Sequence, residues 1–221
     1  MGLLSTLLGR TKPVQSNLDA LFALPSASIT LQSAAGMTCS GHGGVCFKPP
    51  SGQGFEEMQA EVVKLLSMDG ATDLRKAEDS YGYQWLVVED ADIGELVTRI
   101  HMVNSSLSDS GWGPQLLCSV FGIADEPTGD GDGGSTGTGT GDLAGSTDTM
   151  PEVTAGPGRV IPSTGYLVYL FKRGTFYPFV PNGHEQRDTE QEFRLKSLIA
   201  DDLTVEPELD RWFPLWDIPV G

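Results

Sequence analysis

The chain has 221 residues, 30 Asp and Glu against 14 Lys and Arg, a net charge of −16 and a hydrophobic fraction of 39%. That length allows one domain, or one domain with a smaller lobe, and so acidic a surface repels polyanions and counts against nucleic-acid binding. Three cysteines, Cys39, Cys46 and Cys118, suit a reducing compartment such as the cytoplasm better than a disulfide framework.

At the start, Leu3, Leu4, Leu7 and Leu8 share one side of a short helix that Arg10 and Lys12 follow and Pro13 stops. This segment reads either as a terminal turn docked on the body or as a weak amphipathic contact with a membrane surface or a partner. It is too short for a signal peptide and lacks a basic leading region. Gly2 and Thr6 match the myristoylation pattern, which requires a eukaryotic host. No apolar run reaches the roughly 18 residues of a transmembrane helix.

A second short helix is predicted over 17–24, with Asn17 as its cap and Pro25 as its end. Strands are predicted over 28–32 and 44–48, the latter stopped by Pro49 and Pro50. Phe55, Met58, Val62, Leu65 and Leu66 recur at helical spacing over 55–68. The aromatic and valine-rich stretch 81–89 predicts a strand. Asp92 opens a helix through about Leu107, and the nearly continuous apolar run 115–123 predicts a central strand.

Residues 124–158 carry 10 of the 28 glycines and seven acids, with no Lys or Arg. Such a stretch cannot bury enough apolar surface to offset its ordering entropy and reads as a disordered acidic linker. An EF-hand that starts at Asp130 needs a closing Glu at position 141, which is glycine. Beyond it, 166–181 predicts a hairpin around a two-residue Arg173-Gly174 turn, with Pro178 suited to an edge strand. Asp188 caps a last helix containing Phe193, Leu195, Leu198 and Ile199. The organisation is therefore one α+β domain contributed by 1–123 and 159–221, interrupted by 124–158. Its expected architecture is an antiparallel sheet with helices packed on it.

No residue is assigned a catalytic, cofactor or metal role. Cys39, His42 and Cys46 are zinc-ligand types within eight residues, but no fourth ligand lies at a familiar spacing, and His101, Cys118 and His184 enter only by elimination. Cys46 on a strand reads as a small apolar residue. His101 has no nucleophile paired with it by motif, and His184 lies on a turn. The string 41–44, GHGG, lacks the Gly-x-Ser-x-Gly partner of an esterase, and no phosphate-binding glycine loop stands between a strand and a helix. The residues with an interaction character are Tyr177 and Phe179 on the hairpin and Arg211, Trp212, Phe213 and Trp216 in the tail. Rings beside an arginine anchor interfaces, and they equally pack a tail onto its own sheet.

Four strings, NLDALFALPSASITLQ, LVTRIHMVNSSLSDSGWGPQLLCSVF, YLVYLFKRGTFYPFVP and RWFPLW, together resemble the actinobacterial PspAB family of PspA-associated proteins. The acidic insert is longer than that family's, and Cys39 and His42 are not among its features. The resemblance implies a cytoplasmic, non-enzymatic adaptor of the phage-shock envelope-stress response, with no cofactor. Its implied partner is a protein such as PspA, a coiled-coil membrane-remodelling protein, or a membrane-protease system of the HtpX type. The element order also resembles secretion-chaperone and YbjN-type folds. Alternatives are a membrane-surface sensor that uses residues 3–8, an uncharacterised enzyme around His101 or Cys118, and a homodimer formed through the hairpin and tail.

Overall fold

A computed structural model describes residues 16–48, 74–126 and 163–221, together with Glu56 and Ala60. A 3-10 segment (Leu18–Ala23) leads into α1 (Leu24–Ala35) and β1 (Met37–Phe47). Then come β2 (Arg75–Glu78), β3 (Gln84–Glu89), α2 (Ile93–Leu107) and β4 (Leu116–Asp125). The chain ends with β5 (Gly165–Leu170), β6 (Thr175–Phe179), α3 (Thr189–Ile199) and a largely irregular tail. The six strands form one sheet in the order β2-β3-β1-β4-β5-β6, and every neighbouring pair is antiparallel. This is the α+β architecture expected from the element order.

Side chains alternate across a strand, so a sheet buried on both faces sends successive residues into two different cores. On one face Val45, Leu86, Phe121 and Leu167 pack with Leu31 of α1, Ile100 of α2 and Leu195 of α3. On the other, Cys46, Trp85, Val120, Val168 and Tyr177 pack with Trp212 and Val220 of the tail. Helices α1, α2 and α3 thus cover one face and the tail covers much of the second.

The helix caps follow the sequence. Asp92 accepts from the Glu95 amide and Asp188 from the Gln191 amide, each at 2.9 Å. Each cap satisfies a donor that the first helical turn leaves open, worth about 1 kcal/mol. His184 lies exposed in the loop before α3, as expected for a turn.

Several local expectations are corrected. Residues 28–32 belong to α1 rather than to a strand, and Pro25 starts this helix instead of ending the previous one. Proline in a first turn has no amide to lose and carries the right φ. Its inward positions Leu24, Ala27 and Leu31 are buried, and the β-branched Ile29 simply faces outward. Packing on β1 therefore outweighs the strand propensity of Ile29 and Thr30. β1 begins seven residues before the expected Gly44, bent by a register shift between Cys39 and Gly43. Tyr81 and Tyr83 lie in the β2–β3 turn, held by their amides donating to Asp79, so the strand starts only at Gln84. β4 runs to Asp125, two residues past its expected end. The β5–β6 connection has four residues, 171–174, not two, and Gly174 takes the positive φ of 68°. Pro178 does lie on an edge strand. Of the helix expected over 55–68 only Glu56 and Ala60 are described, both helical and exposed. The expected elements at 1–15 and the linker beyond Glu126 lie outside the described residues.

The tail packs directly over Gly44 of β1. A β-carbon there would come within 2.8 Å of Val220 Cγ2 and 3.4 Å of the Trp85 ring. Valine is stiff about χ1 and cannot simply swing aside. Gly44→Ala is therefore expected to destabilise the protein by about 1–3 kcal/mol, the usual cost of overpacking. Adding Val220→Ala should recover part of that loss. Denaturant unfolding of both single variants and the double variant measures the coupling; strict additivity would show that the tail does not press on β1.

Candidate partner-binding cleft

After α3 the chain runs beside β6 and closes its open edge. The Phe176 amide donates to Thr204 O at 2.9 Å and the Glu206 amide to Phe176 O at 2.7 Å, which gives a parallel bridge between Phe176 and Val205. An unpaired sheet edge invites association with another strand, and this bridge blunts it.

Glu206 then turns its carboxylate inward, with 0% of its surface exposed. Its oxygens accept from Thr175 Oγ1 at 2.7 Å, Arg173 Nε at 3.1 Å, the Glu208 amide at 3.3 Å and Arg211 Nη1 at 3.4 Å. Burial alone would raise its pKa, but the hydrogen bonds from Thr175, Arg173 and the Glu208 amide, with the Arg173 charge, hold it below the ordinary value. Its backbone carbonyl accepts from Trp212 Nε1 at 3.0 Å. One residue thus fixes both the hairpin turn and the first ring of the tail.

Further bonds hold the tail along the sheet. Trp212 stacks on Tyr177 at 5.8 Å between centroids, and the Tyr177 hydroxyl donates to Phe213 O at 2.8 Å. The same hydroxyl is pushed well up in pKa, chiefly by burial. Arg187, paired with the buried Glu192 at 2.9 Å, donates to Trp212 O at 2.7 Å. Trp216 meets Phe179 edge-on at 5.3 Å. Beyond it, Ser80 donates to Asp217 at 2.6 Å, Arg75 to Pro219 O at 2.7 Å, and Tyr166 to Val220 O at 2.8 Å.

Between these two anchorages the segment 213–216 passes over the tail-side face of the sheet and borders a cleft of about 740 Å³. Cys46, Trp85, Cys118 and Tyr177 form its floor, and Phe213, Leu215 and Trp216 form one wall. Tyr81 and Tyr83 of the β2–β3 turn line it from the far side, and Lys172, Arg173 and Arg211 bring positive charge to it. The volume lies in the range of ligand-binding clefts, and its lining is mostly rings and aliphatic groups.

The six residues singled out in the sequence occupy different places here. Tyr177, Phe179 and Trp212 are buried among their own subunit's side chains. Phe213 is 56% exposed, Trp216 is half-buried, and Arg211 is half-buried beside Glu206. Trp85, Tyr81 and Tyr83 also line the cleft, and so does Lys172. The sequence reading missed these four because they come from distant segments. It also missed Glu206, one acid among 30.

The other chemical candidates are dispersed. Cys39 and Cys46 lie seven positions apart on a strand, on the order of 20 Å, and they pack in different cores. Among the described residues no group of three or more His, Cys, Asp or Glu is placed to hold a metal. His42 Nδ1 lies 3.7 Å from Glu89 across β1 and β3. His101 sits between Asp19, at 3.8 Å, and Ser105, at 3.5 Å. These separations are too long for strong hydrogen bonds, Asp19 is 92% exposed, and neither His42 nor His101 lines the cleft.

The model of PspA associated protein B (PspAB) matches residues 1–136 and 152–220. The chain belongs to this family. PspAB proteins are not catalytic, and membership carries a role in the phage-shock stress response and a functional link to PspA. The match skips 137–151, the middle of the acidic glycine-rich stretch. No curated protein and no solved structure matches the chain significantly. No helix among the described residues is long and apolar enough to cross a membrane.

The Glu206 anchorage has a pH signature. A carboxylate whose folded-state pKa is depressed stabilises fully above its unfolded value and loses that contribution as pH falls through the folded value. Glu206→Gln is therefore expected to cost about 2–3 kcal/mol at neutral pH, from the lost charge-assisted bonds. The gap from the parent should narrow as pH drops from about 7 to about 3. Urea unfolding across that range checks it, and a gap that stays constant with pH would contradict ionisation of Glu206 as the source.

Proposed function

We propose that this PspAB protein is a cytoplasmic, non-enzymatic adaptor of the envelope-stress response, and that it binds PspA through the cleft between its tail and the tail-side face of its sheet. The observation that carries the reading is the cleft itself. A folded tail that already buries Trp212 and Val220 nevertheless leaves Phe213 56% exposed beside an apolar floor. Large exposed apolar surface next to a concave site marks an interaction surface. Its apolar lining suits the apolar stripe of an amphipathic helix, a common occupant of such grooves. A coiled-coil partner, which the family resemblance implies PspA to be, has helices of this kind.

Charge supports the same direction. On a chain of net charge −16, the three cations Lys172, Arg173 and Arg211 line this one site against a single lining acid, Asp79, with Glu206 buried between the two arginines. Acidic groups flanking the apolar stripe of the partner would complement them and steer association. The alternative membrane-surface reading rests on residues 3–8, which lie outside the described residues.

Calorimetric titration of PspA into Phe213→Ser is expected to show affinity at least about tenfold weaker than the parent, the effect of losing one hot-spot ring, about 1.4 kcal/mol or more. Ile29→Ser, which changes an exposed residue on the helix-covered side, is the control and should bind as the parent does. Equal affinity for both variants, with folding confirmed by circular dichroism, would rule out the cleft as the PspA site.

A further inference from the structure

Cys46 of β1 and Cys118 of β4 are register partners in the antiparallel sheet. Directly opposed residues hold their β-carbons about 4.5–5.5 Å apart, and a disulfide spans about 3.5–4.5 Å, so closure draws the two strands together by up to about 1 Å. Both thiols are free, and each belongs to the tail-side core. Both also line the cleft, where Cys46 keeps 2% and Cys118 keeps 4% of its surface. Cys39, the third cysteine, packs on the helix side of β1 and does not line the cleft.

We propose that Cys46 and Cys118 form a cross-strand dithiol site that exchanges reversibly with low-molecular-weight disulfides entering through the cleft. The site stands on cross-strand register and on the place of both cysteines in the cleft lining, and it does not depend on the partner assignment. Cys118 sulfur attacks one sulfur of the small disulfide, breaks its S–S bond and releases one molecule of small thiol. Cys46 sulfur then attacks the mixed disulfide at Cys118, closes the Cys46–Cys118 bond and releases the second. The protein loses two S–H bonds and two electrons, and the small disulfide is reduced to two thiols that carry the two protons. Excess small thiol reverses both steps.

The resting state is the dithiol. A hydrogen bond between the two side chains, followed by burial, pushes the Cys46 thiol up from its ordinary value. Closure would tie β1 to β4 on the cleft floor between Trp85 and Tyr177 and change the surface that an occupant meets.

The test is to incubate the native full-length chain with oxidised glutathione, then denature, alkylate and weigh it. The expected product carries one alkyl group, on Cys39, instead of three, is otherwise about 2 Da lighter by its two thiol hydrogens, and gives a Cys46–Cys118 cross-linked peptide. Dithiothreitol should restore three thiols. Cys39→Ser should still lose about 2 Da, whereas Cys118→Ser should not. The parent peptide map decides the matter even if Cys118→Ser folds poorly. Three alkylatable thiols after treatment, a stable glutathione adduct without ring closure, or a disulfide that includes Cys39 would overturn the proposal.

Discussion

Glu206 is a carboxylate without exposed surface, and it remains ionised because two guanidinium groups, a threonine hydroxyl and a backbone amide converge on it. A buried charge with a partner removed is strongly unfavourable, whereas the complete cluster roughly balances its own desolvation. The cluster therefore contributes little net stability and a good deal of geometry. It sets where the chain leaves β6, which ring reaches the sheet first, and where Arg173 and Arg211 lie. Trp212 could not stack on Tyr177 in the same way if Glu206 released the backbone that receives its indole N–H. The cleft between 213–216 and the sheet follows from this placement.

The two faces of the sheet consequently differ in kind. The helix side is a conventional core, closed by α1, α2 and α3 and tied further by Ser26 and Thr30 donating to Asp202 at 2.7 Å each. The tail side is covered by a segment with little regular secondary structure, whose hold comes from rings and individual hydrogen bonds at its two ends. Elements held by few contacts are those that local opening reaches first. A binding surface built from such a segment can adjust to an occupant while the helix-side core stays fixed.

What the sequence revealed follows from where its information is local. Asp92 and Asp188 announce their helices because a cap acts within three residues, and 115–123 announces a central strand because it is apolar on both faces. Residues 28–32 misled because Ile29 and Thr30 favour strands, while the buried spacing of Leu24, Ala27 and Leu31 becomes visible only once Pro25 is taken as the first turn. β2 offered no signal: four residues, mostly exposed, paired only to β3 at the sheet edge. The tail was legible as something that must dock, since Trp212 and Trp216 are too apolar to float. Which of its rings would face inward was not legible, because that depends on Glu206 and Tyr177, 36 and fewer residues away in sequence and set by tertiary pairing. The cleft draws on β1, the β2–β3 hairpin, β4, the β5–β6 hairpin and the tail, and no short motif can encode a site assembled from five segments.

Hydrogen–deuterium exchange on the PspAB chain, alone and with PspA, tests the central claim most directly. Without PspA, the amides of Phe176, Glu206 and Trp212 should be protected, because each donates to a backbone carbonyl. With PspA, added protection should concentrate in the β2–β3 turn and in 209–217, with 24–35 unchanged. Protection gained on the helix side, with the tail and the turn unaffected, would contradict the cleft as the surface on which this protein acts.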